Sequence, residues 1–143
     1  MTASGLFSVF NMLAMAGWII LALGVILKRD WLRDAVAGTY IPVMISAAYA
    51  ILVFFFAGAE GGFDTLENVQ KLFTSAWAAL AGWIHYLAFD LFMWARIARG
   101  LAEQGLPRWP LVVILPLTFL FGPIGYLAFE IIKATNLRLK AAQ

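Results

Sequence analysis

A chain of 143 residues that is 64% hydrophobic and only 13% charged has too much apolar surface for one soluble core, since ordinary domains carry about 25% charged residues. The absence of cysteine excludes disulfides and thiolate metal sites, and a single histidine excludes a multi-histidine metal cluster. A net charge of only +2, with the basic residues in short connecting stretches, argues against nucleic acid as a partner and for topology signals in membrane lipid.

A helical crossing needs about 20 mostly apolar residues. Four segments qualify, at 6–27, 40–59, 72–95 and 109–132. The start carries no positive charge and no cleavage region, so it reads as the beginning of the first span. That span holds Asn11 and, seven residues later on the same face, Trp18; the amide is expected to hydrogen-bond across helices. Residues 28–39 read as a basic loop with Lys28, Arg29 and Arg33. In the second span Ser46 and Tyr49 are candidates to line the interior. Residues 60–71 form an acidic loop with Glu60, Asp64 and Glu67. There Asp64 or Thr65 has the spacing of a helix cap, and residues 67–71 read as an outward extension of the third helix. Residues 96–108 form a second basic loop with Arg96, Arg99 and Arg108.

In the fourth span Gly122-Pro123 predicts a kink, because proline lacks a backbone donor and displaces the carbonyl four residues back. Pro116 adds a weak point, and Thr118 is placed to satisfy a freed carbonyl. Glu130 lies near the end of that span. Short connections predict an all-α, up-down four-helix membrane bundle in one domain, residues 1–143. The basic loops predict both termini outside, although Lys133, Arg138 and Lys140 in the tail run against that. Trp31, Trp77 and Trp109 read as interfacial belt residues.

The third span carries the chain's only histidine, His85, and an aspartate, Asp90, in the run Trp83-Ile84-His85-Tyr86-Leu87-Ala88-Phe89-Asp90-Leu91-Phe92. A charged residue at mid-helix costs roughly 2.5–3.5 kcal/mol on insertion scales, so such groups face the protein interior and mark structure or chemistry. His85, Phe89, Phe92 and Arg96 form one helical stripe. Tyr86, Asp90, Met93 and Ile97 form another, roughly 100–140° away. Both His85 and Asp90 are expected to point inward, with the kink opening a pocket opposite His85. Structurally, His85 would donate to a neighbouring helix and Asp90 would anchor Arg96 or the first basic loop. Functionally, a carboxylic acid and an imidazole beside Tyr86 are the groups of general acid–base catalysis. Trp83 and Trp94 flank them, against lipid or a ligand.

The runs His85-Tyr86-Leu87-Ala88-Phe89-Asp90-Leu91-Phe92 and Leu117-Thr118-Phe119-Leu120-Phe121-Gly122-Pro123-Ile124-Gly125, with Phe7-Ser8-Val9-Phe10-Asn11 and Gly17-Trp18 before them, resemble the abscisic-acid-deficient-four-like family of membrane proteins. Its plant members are associated with making neoxanthin from violaxanthin. The chain departs from the family pattern at Met93-Trp94, where a small residue is expected, and this narrows a pocket.

The resemblance implies a multi-pass protein, here of bacterial inner-membrane type, acting on a carotenoid or similar isoprenoid. The chemistry implied is acid–base isomerisation of an epoxide to an allene, without cofactor or metal. Asp90 is then the candidate acid, His85 the base or orienting group, and Tyr86 their neighbour. Asn11, Trp18, Tyr49, Phe89, Trp94 and Thr118 are candidate substrate-lining residues. The alternative class is a non-enzymatic lipid- or pigment-binding module, or a small subunit of a homo-oligomer or partner complex. A transporter is disfavoured, because paired broken helices are absent from the sequence.

Overall fold

The structure is a computed structural model. It describes residues 2–55, 59–105 and 109–141, with side chains described at 2–54, 59–105 and 121–138. Helix α1 covers Ala3–Ile26, and a π-helical segment covers Trp31–Tyr40 and runs directly into α2, Ile41–Phe55. Helix α3 is short, Leu66–Leu72; α4 covers Ala76–Glu103 and α5 covers Trp109–Ala141. No strand occurs among the described residues. Three stretches, Ala3–Ile26, Trp31–Phe54 and Ala76–Glu103, are long and apolar enough to cross a membrane, which makes this a membrane protein.

Helix α1 buries Ala14, Gly17, Trp18, Leu21, Gly24 and Val25, one stripe at the 3.6-residue period. Its other faces expose Met12, Ile19 and Ile26, as lipid contact requires. Helix α4 is the centre of the molecule. It packs against α1, the π-helical segment, α2 and α5, and buries Ile84, Leu91, Trp94 and Ile97 completely.

The first basic loop, expected at 28–39, is mostly helical. Helix α1 ends with Lys28 at a φ of 57°, where the Arg29 N–H donates to the Gly24 carbonyl at 2.8 Å. A left-handed turn at a non-glycine residue costs about 1–2 kcal/mol, and this closing bond offsets part of it. The chain then winds as a wide helix in which the Ile41 N–H donates to the Val36 carbonyl, five residues back. The segment turns inward at Arg33, which is buried. A Cβ on Gly24 would stand 2.7 Å from the Arg33 backbone nitrogen, so α1 and this segment touch backbone to backbone.

The Arg33 side chain, 9% exposed, is forked onto Asp34, with Nε and Nη2 each 2.7 Å from a carboxylate oxygen. Asp30 takes Nη1 at 2.9 Å, and Arg99 of α4 reaches Asp34 at 3.2 Å. A charged group survives inside a membrane protein when paired in this way. Arg33 and Arg99, read as loop residues, therefore tie the π-helical segment to α4, and Asp90 is the anchor of neither Arg96 nor this cluster.

The second connection also differs from expectation. Residues 67–71 belong to α3, a separate helix capped by Thr65, whose hydroxyl accepts from the Asn68 N–H at 3.2 Å. Asn68 Nδ2 donates to Asp64 at 2.9 Å, which holds that carboxyl below its ordinary range. The helix breaks from α4 at residues 73–75 because Phe73 folds back onto Gly82, where an added Cβ would lie 2.7 Å from its ring. Ser75 then caps α4. Helix α4 runs eight residues beyond the expected end at 95, so Arg96 and Arg99 are helical.

The kink expected at Gly122-Pro123 is present. Phe121 leaves helical geometry, with φ −141° and ψ 55°. Beyond it Phe129 buries against α4 at Gly100, and Glu130 pairs with Lys133 at 3.2 Å. The side chains of Thr118, Pro116 and Trp109 lie outside the described residues.

Candidate functional site

Asp90 is 6% exposed, and its Oδ1 is buried with no hydrogen-bond partner among the described residues. Buried polar atoms are almost always partnered, so this carboxyl is the conspicuous group of the core. It lies on the face of α4 that meets α1 and α5. A cavity of about 420 Å³ opens beside it, lined by Asn11, Ala14, Met15 and Trp18 from α1 and by Trp83, Tyr86, Leu87 and Asp90 from α4. Tyr86 is one turn before Asp90, and of the stripe seen in the sequence these two line the groove.

Asn11 fulfils its expectation. Its Oδ1 accepts from the Trp83 indole N–H at 2.8 Å, across α1 and α4. Trp83, which the sequence left between lipid and ligand, is thereby pinned at the groove wall, and its ring packs on Phe7 at 5.7 Å and on Tyr86 at 5.5 Å between centroids. Trp18, which lines the groove, meets Trp94 edge to face at 4.9 Å. Trp94 is fully buried. A second cavity of about 420 Å³ adjoins the first on the far side of Trp83, between Ala3, Ser4 and Phe7 of α1 and Ala76, Ala79 and Leu80 of α4.

His85 is elsewhere. It is exposed, not inward-facing. Its ring stacks on Tyr49 of α2 at 5.2 Å and on Phe89 at 4.8 Å, in a cleft between α2 and α4 that Asp90 does not line. The physical reason is angular. Five residues separate the two on one helix, which turns them roughly 140° apart, and α4 is straight enough to keep them so. The kink of α5 stands opposite Asp90, not His85. A Cβ on Gly122 would lie 3.3 Å from Asp90 Oδ1.

The structure therefore brings together Asp90, Tyr86, Asn11, Trp18 and, through Trp18, Trp94. It groups His85, Tyr49 and Phe89 apart from them. Sequence reasoning missed two contributors, Trp83 as the partner of Asn11 and Gly122 as the neighbour of Asp90. The first had a signal, since an indole N–H and an amide within apolar spans both need partners. The second had none beyond the glycine's place beside a proline. No cluster of three or more metal-ligating side chains occurs among the described residues.

Over residues 5–129 the sequence matches the family described as ABA DEFICIENT 4-like. The chain belongs to that family. Membership implies a role related to neoxanthin or wider carotenoid metabolism. No curated protein and no solved structure matches the chain. Both family-like motifs, the one that ends in Asp90-Leu91-Phe92 and the one centred on Gly122-Pro123, converge on the Asp90 carboxyl.

Proposed function

We propose that the protein takes an elongated, ring-ended isoprenoid of the carotenoid class from the membrane into the groove between α1 and α4, and isomerises its ring end with Asp90 as the acid. In this reading four long helical segments, α1, the π-helical segment with α2, α4 and α5, cross the bilayer in up-down order.

The observation that carries the reading is the buried Asp90 carboxyl, whose Oδ1 has no hydrogen-bond partner among the described residues, in the wall of an apolar groove. Two adjoining cavities with Trp83 as their shared wall support a long ligand. From Ala76 to Asp90 the groove follows α4 for roughly 21 Å at 1.5 Å per residue. The chemistry asks little. Asp90 gives its proton to an epoxide oxygen, and the C–O bond opens with its electron pair on oxygen. A proton then leaves the adjacent polyene carbon as the allene forms, and the carboxylate recovers it. No net oxidation occurs. Tyr86 is positioned to orient the ring's oxygen.

One observation favours the second reading, a binding module without turnover. With His85 in another cleft, Tyr86 is, among the described residues, the one other titratable side chain that lines the Asp90 groove.

The test is direct. Gently solubilised protein should carry a carotenoid-like visible spectrum, and membranes containing it should convert a 5,6-epoxy carotenoid to its allenic isomer. The Asp90→Asn protein should keep the bound pigment and lose turnover by about 10²–10⁴-fold, the usual loss of an acid–base group. Pigment without turnover in the wild type selects the binding module. A colourless preparation containing only phospholipid removes both.

A further inference from the structure

His85 stands nine residues into α4, roughly 13 Å along the axis from Ala76. In a hydrocarbon layer of about 30 Å that is close to mid-depth. The imidazole is exposed there and makes no hydrogen bond to any described residue, its contacts being the rings of Tyr49 and Phe89. A polar ring turned toward hydrocarbon without a partner is costly, so a group beyond the described residues completes it.

The surroundings say what kind. A cavity of about 450 Å³ opens at His85, walled by Tyr49, Phe63 and Phe73 and floored by Gly82. Aromatic side chains hold flat apolar groups by their faces and edges. The Phe73 ring packs on Gly82, where an added Cβ would lie 2.7 Å from it, so this aromatic wall sits close against α4. A single polar ring inside an aromatic cleft matches an apolar ring that carries one oxygen.

We infer that this cleft between α2 and α4 is a second ligand site, taking the oxygenated ring end of an isoprenoid, with His85 hydrogen-bonded to the ring's hydroxyl or carbonyl oxygen. The isoprenoid class rests on the function proposed above; the site itself is separate from the Asp90 groove, on the other side of α4. His85 is here a binding residue that selects rings by their oxygen.

The single histidine of the chain makes the test clean. In protein labelled only at histidine and held in detergent, 3-hydroxy-β-ionone should shift the imidazole resonances saturably. It should bind about threefold to tenfold more tightly than β-ionone, as one added hydrogen bond allows. His85→Phe keeps the aromatic stack and should bind both rings equally, with helical circular dichroism unchanged. Asp90→Asn should retain the wild-type preference whether or not turnover survives.

Equal affinity for the two rings in the wild type would overturn the inference. So would a preference that persists in His85→Phe or disappears in Asp90→Asn. The absence of a saturable shift, as when a second copy of the chain covers His85, would overturn it as well.

Discussion

Gly122 of α5 lies directly against Asp90 of α4, so close that a methyl group on the glycine would stand 3.3 Å from the carboxyl Oδ1. Phe121 leaves helical geometry immediately before the contact, and the absent side chain of Gly122 lets the α5 backbone approach the acid. Gly122 thus bounds the space around a carboxyl whose Oδ1 has no hydrogen-bond partner among the described residues.

Substitution at Gly122 should separate two effects. Gly122→Ala adds helix propensity of up to about 1 kcal/mol against a contact that needs a shift of a few tenths of an ångström, so stability should change by less than about 1 kcal/mol. Gly122→Leu overpacks the site and should cost about 1–3 kcal/mol. Thermal unfolding in detergent checks both. Equal stability of the leucine variant would mean that α5 does not rest on Asp90.

Removing the Asp90 carboxyl should not destabilise the protein. A buried polar atom without a partner costs about 1–3 kcal/mol, so Asp90→Leu should raise the unfolding temperature or leave it unchanged while it abolishes turnover. A folded yield that collapses in Asp90→Leu, with other core variants normal, would show the carboxyl to be structural.

Asn11 and Trp83 should be coupled. Their hydrogen bond joins α1 to α4, and such bonds in membrane proteins average about 0.6 kcal/mol with a maximum near 1.7. A double-mutant cycle of Asn11→Leu and Trp83→Phe should return a coupling in that range. Strict additivity would mean that the two side chains act independently in the membrane.

Topology can be read from two exposed carboxylates. Glu60 precedes α3, and Glu103 ends α4. Gly61 is a poor labelling site, because its φ of 113° and the Asn68 carbonyl beside it leave no room for a side chain. Cysteines at Glu60 and Glu103 should therefore be labelled from opposite faces of the membrane, Glu103 from the side that carries Arg99. Labelling of both from one face would contradict a crossing by α4.

Much of the site was legible along the chain. Composition alone demands a membrane protein, since no soluble core of this size hides so many apolar residues. The 3.6-residue period put Tyr86 and Asp90 on one stripe and His85 on another, and Gly122-Pro123 announced the kink at the residue beside it. Asn11 in an apolar span announced a bond across helices. The order of the motifs carried the family.

Other features depended on which surfaces meet. Arg33 reads as a loop cation until Gly24 lets two backbones touch and Asp34, Asp30 and Arg99 close around it. Phe73 reads as continuous helix until its ring finds Gly82. A helical stripe has a direction but no sign: periodicity separates His85 from Asp90 by an angle, and says nothing of which of them α1 and α5 cover. The tertiary structure decides that by burying the Asp90 face between those two helices, because the small residues Ala14 and Gly122 admit close packing there, and by leaving His85 at an open aromatic cleft.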